Sequence, residues 1–352
     1  MVKITINDTV AKLKEKSKAK NTQDKYDGDW LKFTNYCQNK YLCNPLDVDD
    51  LESAYALTAN YMDWLHEDPE AKVFKGSSNI PGRENLNNNP YSSSPYKAST
   101  IQRILASITY KYRLNGFQFD RKNPNIAETI SAIVRDEKNY KSGQAKELLK
   151  ADIIKIIDTI PNDEEDYRNI RDKALILIGF YSFCRRSELL GMQFEHLNFG
   201  NDGVQVLIPF SKTDQTGEGR MILLPATNDD YCPVRALKHW LEIAMIEQGP
   251  LFYKINKSNT IEKYTMNYKN QKVSLSDSSF VLILKKRALS AGIENCDKIS
   301  GHSLRIGSIT QARMNGVPTY EIMAQSGHKT TQMIDRYTKL SNIKETSAAK
   351  KI

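Results

Sequence analysis

The sequence predicts a mainly α-helical protein with one small β-sheet (an α+β chain), folded as two domains in series. Three observations carry this. The chain has 352 residues, more than a single hydrophobic core usually serves. Apolar residues recur at three- and four-residue spacing along most of it, the period of helices with one buried face. Short apolar runs flanking a glycine-containing turn occur in one region only, Val204–Pro209 and Met221–Pro225, which reads as a β-hairpin.

Taken in order, residues 1–66 read as helices. Asn21 or Thr22 is a plausible N-cap for a helix carrying Tyr26, Trp30, Phe33 and Cys37. Asn44-Pro45 interrupts the pattern, and Leu51, Tyr55, Leu57, Tyr61 and Trp64 resume it; these aromatics are expected to pack a core rather than stack on bases. Residues 67–99 are rich in Asn, Ser, Pro and Gly and lose all apolar period, so a long loop is expected. A helix returns at Thr100 with Ile101, Ile104, Leu105, Ile108 and Tyr112 on one face, and Arg103, Lys111 and Arg113 outside that set. Ala127–Val134 reads as a further short helix. The polar stretch 136–145 then reads as the linker, placing the domains at 1–143 and 144–352. Beyond it, helices are expected at Lys150–Ile160, Asn169–Phe183, Asp230–Ile246, Leu275–Ala291, His302–Asn315 and Thr319–Ser326. No internal repeat is evident.

Composition narrows the classes. Hydrophobic residues at 40% and charged residues at 26% suit a globular domain with a sizeable core. The longest apolar stretch, Ala174 to Cys184, is about half the ~20 residues of a membrane span, so no membrane partner is expected. The N-terminus lacks the apolar stretch of a signal peptide. Five scattered cysteines (Cys37, Cys43, Cys184, Cys232, Cys296) form neither a paired framework nor a zinc-ligand pattern. A reducing, cytoplasmic location is therefore expected, nucleoid-associated in a bacterium. The net charge of +8 favours an anionic partner such as nucleic acid. Residues 1–140 are nearly balanced, so most of that surplus falls in the C-terminal part.

Four segments there carry the chemistry. Phe183-Cys184-Arg185-Arg186-Ser187-Glu188-Leu189 follows an apolar helix; an arginine at such a junction ordinarily pairs with a nearby carboxylate. Gly301-His302-Ser303-Leu304-Arg305 puts an imidazole and a guanidinium three residues apart, on one helical face. An imidazole can exchange a proton, and a guanidinium grips phosphate oxygens in a fork. Each of these is common alone. The third is Gly327-His328, and the fourth, Arg336-Tyr337-Thr338, places a tyrosine nine residues after that histidine.

In this order and spacing the segments resemble the tyrosine recombinase (phage integrase) family, nearest to its Cre-like members. The family pattern is an arginine in a GLRxSEL-like segment, a lysine on a β-hairpin, HxxR, a histidine or tryptophan, and a nucleophilic tyrosine nine residues on. Here FCRRSEL supplies Arg185 with Glu188 as its supporting acid, SKTDQTGEGRMILLP supplies Lys212, GHSLR supplies His302 and Arg305, SGH supplies His328, and DRYTK supplies Tyr337. The likeness extends to STIQRILASITYKYRLNG and VRDEKNY before the linker. It is weak over 1–66 and strong over 170–340. Residues 67–99 look like an insertion relative to Cre-like members, which have tryptophan at the place of His328.

The resemblance implies a C-shaped, two-domain DNA clamp. Its catalytic set would be Arg185, Lys212, His302, Arg305, His328 and Tyr337, with no metal and no cofactor. It implies double-stranded DNA carrying an inverted-repeat site, a homotetramer on two sites with a dimer on each, and a docking tail at about 339–352. DNA-contact candidates are Arg103, Lys111 and Arg113 on the Thr100 helix, and Ser276 and Ser278 at the start of the 276–291 helix. Two alternatives remain open. A type IB topoisomerase would use the same nucleophile chemistry to relax DNA lacking a defined site. A non-catalytic DNA-binding factor of this fold should lack one or more catalytic residues, and all are present.

Overall fold

The computed structural model describes residues 20–67, 96–137, 145–209, 219–263 and 274–335. By internal packing the chain divides into two units, Met1–Ser142 and Gly143–Ile352. Lys212, Tyr337, the 339–352 tail, the first 19 residues and most of the 67–99 segment lie outside the described residues.

The N-terminal unit consists of α1 (Lys20–Tyr41), α2 (Leu51–Glu67), α3 (Ala98–Leu114) and α4 (Pro124–Glu137). Its core is aromatic. Phe33, Tyr61, Tyr112 and Phe119 are fully buried, with Tyr112 and Phe119 stacked at 4.9 Å and Trp30 edge-on to Tyr112 at 5.4 Å. On α3 the buried residues include Ile101, Ile104, Leu105, Ile108 and Tyr112, the apolar face its spacing predicts. Two expectations are corrected. Asn21 and Thr22 lie inside α1, which is already helical at Lys20; no glycine or proline near them halts the helix. The helix expected at Ala127–Val134 runs from Pro124 to Glu137. Asn123 accepts from the Asn125 N–H at 3.0 Å, and Pro124 takes the first helical position, where its missing N–H is not needed.

The C-terminal unit is built around α6 (Tyr167–Tyr181). It follows α5 (Lys150–Asp158), and a short α7 (Arg186–Leu190) comes after it. From Ala174 to Phe180 every residue of α6 is buried, as expected of a helix apolar all round. Asp166 caps it by accepting from the Arg168 N–H. A three-stranded antiparallel sheet in the order β1 (Leu197–Phe199), β2 (Gly203–Ile208), β3 (Arg220–Pro225) follows. The predicted hairpin is β2–β3; three-residue β1 is too short to show a period. Then come α8 (Pro233–Ile243), α9 (Asp277–Ser290), α10 (Ser303–Met314) and α11 (Thr319–Ser326), with α8 and α10 packed on α6. Gly307 lets α10 pass directly over the chain at Leu148; a Cβ at that position would lie 1.8 Å from the Leu148 carbonyl oxygen. Asp172 of α6 pairs with Arg171 at 2.6 Å and with Arg287 of α9 at 2.8 Å, so a buried charge is matched by two cations.

Candidate active site

The site grows from the turn after α6. Phe183 takes a left-handed backbone conformation, φ +55°, at the place where the family segment has glycine. For a side chain with a Cβ this costs about 1 kcal/mol. Packing of the Phe183 ring against the cluster of Ile309, Ala312, Ile322 and Ile334 offsets it. The bend aims the Phe183 carbonyl at Arg305, whose Nη1 donates to it at 2.6 Å.

Two residues later Arg185 is extended and opens α7. Its backbone N–H donates to Glu188 Oε2 at 2.9 Å and its Nη1 to Glu188 Oε1 at 2.8 Å. Glu188 thus caps the helix start and restrains the guanidinium. Arg220, first in β3, donates from Nη2 to Glu188 Oε2 at 2.9 Å, and Arg305 Nη1 stands 4.0 Å from the same oxygen. Three arginines from distant parts of the chain therefore surround one buried carboxylate. Burial alone would raise the Glu188 pKa, but the Arg220 and Arg185 hydrogen bonds and charges outweigh it and hold the pKa below the ordinary value.

Arg305, 3% exposed, also donates from Nη2 to His328 Nε2 at 2.9 Å. His328 Nδ1 lies 2.7 Å from Ser326 Oγ. Burial and the charges of Arg305, Arg185 and Arg220 push the His328 pKa down to about 4. The imidazole is therefore neutral near pH 7, with Nε2 accepting from Arg305 and Nδ1–H free to donate to Ser326. Gly327, left-handed at φ +69°, lets the Arg220 guanidinium pass beneath it; a Cβ there would meet Arg220 Nη1 at 2.9 Å. His302 occupies the N-cap position of α10 at an exposed edge, with no side-chain hydrogen bond to the helix start. Partial burial and then Arg186, Arg305 and Arg185 hold its pKa below the ordinary value, so a neutral, proton-accepting imidazole faces the arginines.

Arg185, Glu188, His302, Arg305 and His328 are thus brought together, while Lys212 and Tyr337 lie outside the described residues. The DNA-contact candidates occupy other places. Arg103 pairs through both terminal nitrogens with the buried Asp29. Lys111 pairs with Asp27, and Arg113 donates from Nε to the Phe119 carbonyl at 2.9 Å. Ser276 caps α9 by accepting from the Ser279 N–H at 3.2 Å, with the exposed Ser278 hydroxyl 3.1 Å away.

Sequence reasoning missed Arg220. The signal was strand parity: Arg220 shares a side of β3 with buried Ile222 and Leu224, and an arginine on an inward face needs an acid.

Residues 146–343 match the family model for the phage integrase family. An integrase/recombinase xerD homolog from Selenomonas ruminantium is 33% identical over 334 residues, covering 94% of this chain and 84% of that protein. The Tn1549 transposon integrase, solved in complex with transposon right end DNA, superimposes with a TM-score of 0.55 at 13% identity, over 97% of this chain and 96% of that one. XerH recombinase bound to palindromic difH substrate gives 0.51 at 14% identity, over 90% and 93%. At these identities the solved structures speak to fold alone, whereas the family model covers more than half of the chain and the xerD homolog nearly all of it. The chain belongs to the phage integrase family, the tyrosine recombinases.

Proposed function

We propose that this protein is a site-specific DNA recombinase that breaks and rejoins strands through a covalent 3′-phosphotyrosine on Tyr337. The observation that carries the proposal is the convergence of Arg185 and Arg305 on one carboxylate, with two imidazoles of lowered pKa beside them.

A phosphodiester resists attack because negative charge accumulates on its non-bridging oxygens, and preorganised donors offset that charge. Arg185 and Arg305 would bind those two oxygens. As Arg305 turns from His328 Nε2 to the phosphate, the ring proton would move to that nitrogen, with the Ser326 hydroxyl then donating to Nδ1, so that His328 donates a further hydrogen bond. Free tyrosine has a pKa near 10, so Tyr337 needs a base and a positive field. His302, neutral and beside the arginines, would take the phenolic proton. The phenolate oxygen then bonds to phosphorus and the bond from phosphorus to the 5′-oxygen breaks. Lys212 would supply the proton to that leaving oxygen. Attack by a 5′-hydroxyl of a partner strand reverses the sequence and frees Tyr337. Neither a metal nor a nucleotide cofactor enters these steps.

Strand exchange between two sites calls for four subunits, a dimer on each inverted-repeat site, with the 339–352 tail docking into a neighbour. The transposon integrase and XerH, each solved with DNA, support a DNA substrate. The test uses a nicked duplex built from inverted half-sites in the DNA flanking the gene. The parent protein should form a detergent-resistant covalent adduct, and Tyr337→Phe should form none. An adduct of undiminished yield with Tyr337→Phe would remove the nucleophile assignment.

A further inference from the structure

His66, Glu67 and Asp136 take no part in the chemistry proposed for the C-terminal unit, yet they meet within the N-terminal one. His66 and Glu67 end α2, and Asp136 lies in the last turn of α4. His66 Nε2 is 3.0 Å from Asp136 Oδ2 and 3.5 Å from Glu67 Oε1, and one ligand atom from each of the three lies within 4.8 Å of the others. The imidazole is 8% exposed, whereas the carboxylates are 69% and 48% exposed. They face a cavity of about 380 Å³ that is also lined by Asp63 and Asn60.

We propose that these three side chains hold a divalent transition-metal ion of the zinc class, with water completing its shell. Tetrahedral coordination with metal–nitrogen and metal–oxygen bonds near 2.0–2.2 Å separates ligand atoms by about 3.4 Å, and the two His66 distances bracket that value. A hydrogen bond from the imidazole to Asp136 accounts for the first contact only. It leaves Glu67 beside the same nitrogen, and it leaves two acids in the last turns of their helices, where the helix dipole disfavours negative charge. A cation there neutralises both carboxylates and both helix ends together. The imidazole favours zinc-class ions over magnesium or calcium, which prefer oxygen alone, and the cavity admits the ion and its water. Asp136 stands six residues before the division at Ser142, so the ion would cross-link α2 to the last helix before that point. Its role would be structural.

The experiment uses the full-length protein, stripped with a chelator and titrated with Zn²⁺ against a chromophoric competitor, then with Co²⁺ to read ligand geometry from its visible absorption. The parent should bind about one equivalent. His66→Gln should abolish it, and Glu67→Gln and Asp136→Asn should each weaken it roughly tenfold or more. Equal concentrations of Mg²⁺ or Ca²⁺ should not displace it. Because Glu67 is exposed, Glu67→Gln keeps the fold if the buried variant does not. Unchanged zinc binding in Glu67→Gln and Asp136→Asn, or no binding by the parent, would overturn the proposal and leave a bare histidine–carboxylate hydrogen bond.

Discussion

Glu188→Gln preserves the shape of one side chain and removes the charge on which three arginines converge. Glu188 is 8% exposed and accepts from Arg185 Nη1 at 2.8 Å and Arg220 Nη2 at 2.9 Å. Hydrogen bonds to a charged group contribute about 1.5–3 kcal/mol each, and breaking a buried ion pair on one side costs about 3–5 kcal/mol. Since an amide oxygen still accepts one bond, we expect a loss of about 3 kcal/mol. Trp240 is the one tryptophan of the C-terminal unit, so urea unfolding followed by its fluorescence, with Trp30 and Trp64 replaced by phenylalanine, isolates that unit. The pH dependence sharpens the test. The folded-state pKa of Glu188 is lowered, so its contribution is complete above the unfolded-state value of about 4.3. It is lost as pH falls through the lower folded-state value. The gap between parent and variant should therefore be flat from pH 8 to pH 6 and close in acid. A gap under about 1 kcal/mol at pH 7, or one that ignores pH, would refute the reasoning.

Other expectations follow the same geometry. Lys212→Ala should cleave a normal substrate poorly and recover on one with a 5′-bridging sulfur, which leaves without a proton; absence of rescue removes Lys212 as the acid. The His328 imidazole should titrate by NMR near pH 4 in the DNA-free protein. As its unfolded-state value is about 6.5, the unfolded chain takes up that proton first, so stability should fall between pH 6.5 and pH 4 and His328→Asn should flatten the decline; a midpoint above 6 contradicts the assigned environment. Gly307→Ala, a favourable change in an ordinary helix, should instead lower stability by about 1–3 kcal/mol in thermal unfolding, because its methyl would meet the Leu148 carbonyl; unaltered stability would mean that α10 can shift.

The helical character and the β2–β3 hairpin were legible because each rests on a period fixed along the chain. The set of Arg185, Glu188, His302, Arg305 and His328 was implied by the family resemblance of motifs that are common singly, and its catalytic roles remain proposed. Three features were not legible. Arg220 has parity with Ile222 and Leu224, but Met221 and Leu223 make the other face of β3 apolar too, so that parity marks an inward arginine only once the buried face is known. Phe183 hid its left-handed turn because φ > 0 ordinarily announces itself with glycine or asparagine. The meeting of His66, Glu67 and Asp136 spans 70 residues and depends on how α2 lies against α4, which no local pattern encodes. Tyr337 is the converse case: its role was suggested by motif spacing, and its position lies outside the described residues.

The crowding of Arg185, Arg220 and Arg305 about a single acid leaves the empty site overcharged. Like charges held at such range repel, and His328 answers by refusing its own proton. If the proposed chemistry holds, an arriving phosphate would relieve that repulsion, so a substitution that removes one of these guanidinium groups should make the DNA-free protein steadier while weakening its hold on DNA.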